Sequence, residues 1–370
     1  MRWIIAAGGT GGHVFPALSV AEALREMDPG ARILFIGTRS GLESRAVPAK
    51  GFGLRLVHAR GLMGLGWLAK IRTLAGLPLT AIQCLRTLAG FRPDLVLGMG
   101  GYVSGPMVLL AALLGIETAI AEQNAVAGRT NRILGRFVKR VFVNLPQGAS
   151  GFSPAKVSVT GNPLRPELVQ AAMATTPVSW EGRQGEEFHL FIFGGSQGAL
   201  GIDRAVLEAL PLLKALPYPL RVLHQTAEGR LQQLKAAYAA SGIPHEVVPF
   251  VQEMDRAYIW AHLVVCRAGA ASLSEIALFG RPSVLIPFPH AADDHQTENA
   301  RAFASAGASV LLEQETLTGE RLAEVIGALA ADAKRLKGMG ESARALARPE
   351  AGRSIAQECI RIVGKRRGSG

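Results

Sequence analysis

The sequence predicts an α/β chain of two domains, each a parallel sheet with helices packed against it. Three observations predict this. The 370 residues exceed one ordinary core and suit two domains. One opening occurs twice, at 2–27 and at 188–210: an apolar strand, a glycine-rich turn and a helix. After each opening, short apolar runs alternate with stretches of helical spacing, as in βαβ units.

Residues 2–7 (RWIIAA) read as a buried strand that ends in glycines. From Phe15 to Met27 apolar residues recur at helical spacing, as Leu18, Ala21 and Leu24, and ARILFIG (31–37) reads as the second strand. DLVLGMGG (94–101), TAIAEQN (118–124) and RVFVN (140–144) read as later strands of the same sheet. The pattern restarts with FHLFIF at 188; LRVLHQT, HEVVPFV, HLVVCRAG and PSVLIPF continue it. Thr160 to Pro163 and the polar stretch 175–187 separate the two series, with a hinge expected near 161–166. The expected domains are 1–163 and 164–345, both Rossmann-like, with 346–370 a C-terminal helix returning to the first domain and ending in a basic tail. Such folds bind ligands at the carboxyl ends of their strands, so the two ends are expected to face each other across a cleft.

Hydrophobic residues make up 49% of the chain, enough for sizeable cores. Cys84, Cys266 and Cys359 form no CxxC pair, which argues against a disulfide framework or a zinc site and fits a reducing compartment. The opening MRWIIAAGG is too short an apolar run for a signal peptide, and MVLLAALLGI (107–116) is about half of a spanning helix of roughly 20 residues. A cytoplasmic protein that does not cross a membrane is expected. The net charge of +11 is uneven: residues 1–165 hold 19 Lys+Arg against 7 Asp+Glu, and the remainder is nearly neutral. That asymmetry calls for an anionic partner of the first half.

The stretch GGTGGH (8–13) lacks the third glycine of a dinucleotide fingerprint, since Val14 stands there, and the second strand ends without a ribose-binding acid. It also lacks the Lys-Ser/Thr of a P-loop. The glycines let backbone N–H groups approach a ligand at a helix N-terminus, where the dipole favours anions. FGGSQGA (193–199) repeats the device, with Ser196 adding a hydroxyl. The dipole at a helix start disfavours the protonated form of His13, leaving it able to accept a proton; a capping or packing role is the alternative. In the second half, CRAGAASLSEIALFGRPSVLIPFPHAADDHQTENA (266–300) places Ser272, Ser274 and Glu275 on a helix expected to open at Ala268 to Ala271. Glu275 is expected in its first turn, either favoured by the dipole or accepting from two ribose hydroxyls. His290 to Asn299 reads as a polar loop with His295 and Gln296 on its rim; Asp293 and Asp294 lack metal-ligand spacing.

Together, GGTGGHVFPAL, GMGGYVSGP, EQNAVAGRTNR, TGNPLR, FGGSQGA and the 266–300 stretch resemble the MurG family of glycosyltransferases. The resemblance covers residues 1 to about 310 in the expected order. It implies the GT-B fold and transfer of N-acetylglucosamine from UDP-N-acetylglucosamine to the 4-hydroxyl of undecaprenyl-diphospho-N-acetylmuramoyl-pentapeptide, with inversion. It implies that Val251 meets uracil through its backbone. Ala270, Ala271, Ser272, Leu273 and Ser274 run beneath the nucleotide, Glu275 holds the ribose, Ser196 receives the diphosphate and Gln296 contacts sugar hydroxyls. Thr10, Gly11, Gly12, Asn124 and Arg165 match further donor-contacting positions, and His13 the position of the general base. No metal or other cofactor is implied. Two departures stand out: HQTA (224–227) where the family has HQTG, and His295-Gln296 where members often carry two glutamines.

Between Glu43 and Asp94 there is no acidic residue and there are eight basic ones. Leu62, Met63, Leu65, Trp67 and Leu68 lie among them with Lys70 and Arg72, and Pro78 is expected to break or kink the helical run. Apolar residues with a Trp amid Lys and Arg suit an interfacial segment on an anionic membrane surface; an amphipathic helix with a solvated face is the alternative. No nucleic-acid-binding motif is present, so nucleic acid is not the expected partner.

Overall fold

The computed structural model describes residues 1–58, 67–195 and 198–368, with the backbone alone for 67–75 and 367–368. The chain divides into two compact units, Met1–Arg165 with Arg348–Gly370, and Pro166–Ala347.

The first unit contains β1 (Arg2–Ala7), α1 (Gly11–Met27), β2 (Arg32–Gly37), α2 (Glu43–Ala49), β3 (Gly53–Leu56), α3 (Trp67–Phe91), β4 (Leu95–Gly100), α4 (Ser104–Leu113), β5 (Glu117–Glu122), α5 (Arg129–Leu134), β6 (Arg140–Val143) and β7 (Val157–Val159). The strands form one sheet in the order β3-β2-β1-β4-β5-β6-β7, every pairing parallel. Both faces are covered, which is why the strands read as unbroken apolar runs. Trp3 and Ile5 face α1 through Val14, Leu18 and Leu24. Ile4 and Ala6 face the opposite side, with Cys84 and Leu88 of α3 and Met107 of α4. The helical run does not stop at Pro78: α3 continues through it to Phe91, the surrounding apolar face outweighing one missing hydrogen bond.

The second unit contains α6 (Pro166–Ala174), β8 (Phe188–Phe193), α7 (Leu200–Lys214), β9 (Leu220–Gln225), α8 (Leu231–Ser241), β10 (His245–Val248), α9 (Met254–Trp260), β11 (Leu263–Cys266), α10 (Ala270–Phe279), β12 (Ser283–Leu285), α11 (His295–Ser305), β13 (Ser309–Leu311), α12 (Gly319–Ala330) and α13 (Ala333–Ala345). Its parallel sheet runs β10-β9-β8-β11-β12-β13. Leu190, Ile192, Val222 and Val265 pack on Ile202 and Val206 of α7 and on Leu322 and Ile326 of α12. The chain then returns to the first unit as α14 (Ala351–Gly368), where Ile355, Cys359 and Val363 join the core beneath α1. The three cysteines are buried and unbridged. Burial pushes the Cys84 thiol up to about 11 and raises the other two further, so none is a ready thiolate.

Candidate active site

In the first unit, β1 runs out at Ala7 and α1 starts four residues later. The turn is organised by Glu43, whose fully buried carboxylate accepts from the Gly9 amide (2.9 Å), the Thr38 amide (2.7 Å) and the Thr38 hydroxyl (2.9 Å). A Cβ on Gly8 would lie 2.8 Å from that carboxylate, and Gly9 adopts φ +93°, so both positions need glycine. Glu43 thereby clamps the turn after β1 to the turn after β2. Thr10 caps α1 with no side-chain hydrogen bond, and no acid occupies the first turn. The amides of Gly11 and Gly12 therefore head an uncapped helix N-terminus, suited to an anion.

His13 is the third residue of α1 and half-buried. Its ring lies on the end of β4, where a Cβ on Gly100 would come within 2.4 Å of Cδ2 and 2.7 Å of Nε2. The next strand, β5, delivers Asn124. The Glu122 carboxylate accepts from the Asn124 amide (3.0 Å), Asn124 Nδ2 (3.3 Å), the Gly128 amide (3.0 Å) and Asn131 Nδ2 (2.8 Å). Gln123 anchors the loop by donating to the Met99 carbonyl at 2.8 Å. Because β1, β4 and β5 are neighbouring parallel strands, Thr10, Gly11, Gly12, His13 and Asn124 lie together at the carboxyl ends of the sheet's central strands. The Arg165 guanidinium stands 5.4 Å over the ring of Phe15, beside the same helix N-terminus.

In the second unit, Ser196 lies outside the described residues. Around it, Gly195 (φ +83°) and Gly198 (φ +68°) take the left-handed backbone, and the Gly194 amide donates to Gln225 Oε1 at 3.2 Å. Gln225 in turn donates to the Pro249 carbonyl, so the HQTA segment braces the glycine turn from the end of β9. Beneath it sits Asp203, in the first turn of α7 and 2% exposed. Its carboxylate takes His224 Nε2 (3.1 Å), the Thr226 hydroxyl (2.7 Å) and Arg230 Nε. Burial works to raise its pKa, but these three hydrogen bonds outweigh burial and hold the carboxyl below its ordinary range.

After β11, Gly269 caps α10 without a side-chain hydrogen bond. Ala270, Ala271, Ser272 and Ser274 are half-buried along its start. Between these residues Leu273 is 1% exposed and belongs to the core. Two expectations need correction. Glu275 is the sixth residue of α10, in its second turn, with no acid in the first; the Tyr258 hydroxyl, 3.0 Å from Oε2, holds it rather than the helix dipole. The polar stretch from His290 is also shorter than expected: a turn at Ala292–Asp294 leads straight into α11, which already contains His295 and Gln296. Gln296 Oε1 accepts from the Phe288 amide at 3.0 Å and fixes that turn. Val251 follows β10 and lines, with Phe250 and Trp260, a cavity of about 770 Å³. Glu43, Asp203 and Tyr258 were not legible as site supports, because each acts on residues far away in sequence.

Of the apolar-basic segment, Leu62, Met63 and Leu65 lie outside the described residues, and Trp67, Leu68, Lys70 and Arg72 belong to the part of α3 described by backbone alone. Further along α3, Leu77, Leu79, Ile82 and Leu85 are exposed, as are Leu113 and Leu114 at the end of α4. Leu85 and Leu114 share a cavity of about 690 Å³ with Arg2, Arg92 and Arg366. No described helix is long and apolar enough to cross a membrane. Among the described residues, no three His, Cys, Asp or Glu side chains converge as a metal site.

Residues 3–143 match the glycosyltransferase family 28 N-terminal domain and residues 189–356 its C-terminal domain. A relative from Syntrophus aciditrophicus is 43% identical over 98% of this chain and 99% of its own length. It is named UDP-N-acetylglucosamine--N-acetylmuramyl-(pentapeptide) pyrophosphoryl-undecaprenol N-acetylglucosamine transferase. One from Anaeromyxobacter, of the same name, is 44% identical over 100% of this chain and 95% of its own. The chain belongs to the MurG family. The crystal structure of Acinetobacter baumannii MurG is similar at TM-score 0.78 and 33% identity, covering 97% of this chain and 99% of that one. The two parallel-sheet units are those of the GT-B fold. UDP-GlcNAc 2-epimerase from Neisseria meningitidis shares that fold at TM-score 0.67 but only 13% identity, covering 98% of this chain and 100% of that one.

Proposed function

We propose that this chain moves N-acetylglucosamine from UDP-N-acetylglucosamine to the 4-hydroxyl of undecaprenyl-diphospho-N-acetylmuramoyl-pentapeptide, inverting the anomeric carbon. The observation that carries this is the 43% identity to so-named transferases along essentially the whole chain. The reaction belongs to peptidoglycan synthesis, the cell-wall process on which cell shape and division depend.

The chemistry is a single displacement. The acceptor 4-oxygen forms a bond to the sugar C1 while its proton passes to His13 as general base. The bond from C1 to the diphosphate oxygen breaks, and its electron pair leaves with UDP. Negative charge grows on that diphosphate, so the uncapped N-terminus of α7, with Ser196, is its fitting cradle. Glu275, oriented by Tyr258, accepts from the ribose hydroxyls. The Val251 backbone meets uracil, Ala270 to Ser274 pass beneath the nucleotide, and Gln296 reaches the sugar. Thr10, Gly11, Gly12, Asn124 and Arg165 are the first unit's contacts to the donor. The scheme uses no metal.

The first unit takes the acceptor and rests peripherally on the cytoplasmic face of the plasma membrane. The exposed leucines and isoleucine of α3, continuing the segment that holds Leu62, Met63, Leu65, Trp67, Leu68, Lys70 and Arg72, enter the headgroup region. Nearby arginines meet anionic lipid, each contributing about 1 kcal/mol. Incubation with UDP-N-acetylglucosamine and the lipid-linked muramoyl-pentapeptide should yield UDP and a β-1,4-linked disaccharide lipid, read by mass spectrometry and NMR of the released disaccharide. Epimerised UDP-sugar without transfer would contradict the proposal.

A further inference from the structure

Two arginines stand near Asp203 beneath the glycine turn of the second unit, and they are used differently. Arg267 is consumed by the fold. Its Nη1 donates to the Ile286 (3.0 Å) and Pro287 (2.8 Å) carbonyls and its Nη2 to Gln314 Oε1. Among the described residues, Arg230 is anchored only through Nε, which donates to Asp203 Oδ2. Among the described residues nothing accepts from its Nη1 or Nη2, and the side chain is 24% exposed. A Cβ on Gly198 would lie 2.9 Å from Arg230 Nη2, so the guanidinium is pressed directly against the turn. Arg230 follows β9, at the carboxyl end of the sheet, where ligands of this fold bind.

Asp203 makes this arrangement consequential. A carboxylate in the first turn of α7 opposes an anion at the same helix N-terminus. Arg230 neutralises it with one nitrogen and keeps four N–H bonds to offer.

We propose that Arg230 is the cation that binds the donor's diphosphate and stabilises it as it departs, with Asp203 the positioning residue that aims it. As the C1–oxygen bond breaks and its electron pair passes to the β-phosphate oxygen, the charge develops next to a guanidinium already fixed in place. No proton is transferred to or from Arg230. This inference rests on the donor reading above.

The test measures binding of UDP and of uridine to the full-length protein by calorimetry, for wild type, Arg230→Gln and Arg230→Lys, with transfer kinetics alongside. Gln keeps a donor for Asp203 without the charge; Lys restores the charge. Arg230→Gln should bind UDP about 10- to 100-fold more weakly, the scale of one charge-assisted hydrogen bond. Its uridine affinity should stay within twofold, its kcat should fall as well, and Arg230→Lys should recover part of each loss. UDP affinity unchanged in Arg230→Gln would overturn the inference. So would an equal loss of UDP and uridine binding, which would mark a collapsed turn rather than a missing charge. If wild type itself failed to prefer UDP to uridine, the donor reading would fall first.

Discussion

At Gly100 the backbone takes φ +105°, and a Cβ would run into the ring of His13. Gly100→Ala must therefore displace the ring that the proposed mechanism uses as base. Loss of a positioned general base costs about 10²- to 10⁴-fold, so kcat should fall into that range while donor affinity stays near wild type; an unchanged kcat would detach His13 from the chemistry. His13 itself was legible, because a glycine turn followed by helical spacing places it at a helix start. Its bed on Gly100 was not, since the two are brought together by neighbouring strands far apart in sequence. The same limit hid Glu43. In the sequence it only marks the edge of an acid-free stretch, yet folded it binds Gly9, 34 positions away. For Glu275 the sequence suggested a first-turn place favoured by the helix dipole, whereas it stands in the second turn and accepts from Tyr258, on the preceding helix.

Elements were legible wherever strands are buried on both faces, since an unbroken apolar run ending in glycine has few other readings. Their ends were less so. HEVVPFV forms a strand only as far as Val248, and the short β3, β7 and β13 carry too few apolar residues to announce themselves. The α3 helix shows how tertiary packing overrides a local signal, because its inner face, with Cys84 and Leu88 in the core, carries it past Pro78. Its outer face leaves Ile82 and Leu85 exposed at 46% and 39%. If that face enters the membrane, Ile82→Glu with Leu85→Glu should sharply reduce co-sedimentation with anionic vesicles. Transfer to a detergent-dispersed, short-chain acceptor should stay within about twofold, as expected for surface changes remote from chemistry. Equal vesicle binding by variant and wild type would refute the membrane role of α3.

For the whole molecule, one source of pH sensitivity is His262, just before β11 and 3% exposed. Burial, with the charges of His189 and Arg281 adding to it, pushes this imidazole from 6.5 down to about 4. The folded protein thus keeps His262 neutral while the unfolded chain takes up a proton below 6.5. Stability from this group is complete above pH 6.5 and lost progressively toward pH 4, by about 3 kcal/mol. Urea denaturation at pH 7, 5 and 4 should show His262→Gln losing correspondingly less stability than wild type over that window; parallel losses would exclude the histidine as the cause. The charge asymmetry between the two halves was readable from composition alone, whereas this buried imidazole was not, because burial is a property of the packed second unit. The most direct test of the account is transfer of radiolabelled N-acetylglucosamine from its UDP form to the lipid-linked muramoyl-pentapeptide, for wild type and His13→Ala, with EDTA present. The account predicts robust wild-type transfer and, in the variant, a loss of about 10²-fold or more with donor affinity retained. Wild-type donor binding without any transfer, or a variant that transfers at the wild-type rate, would contradict it.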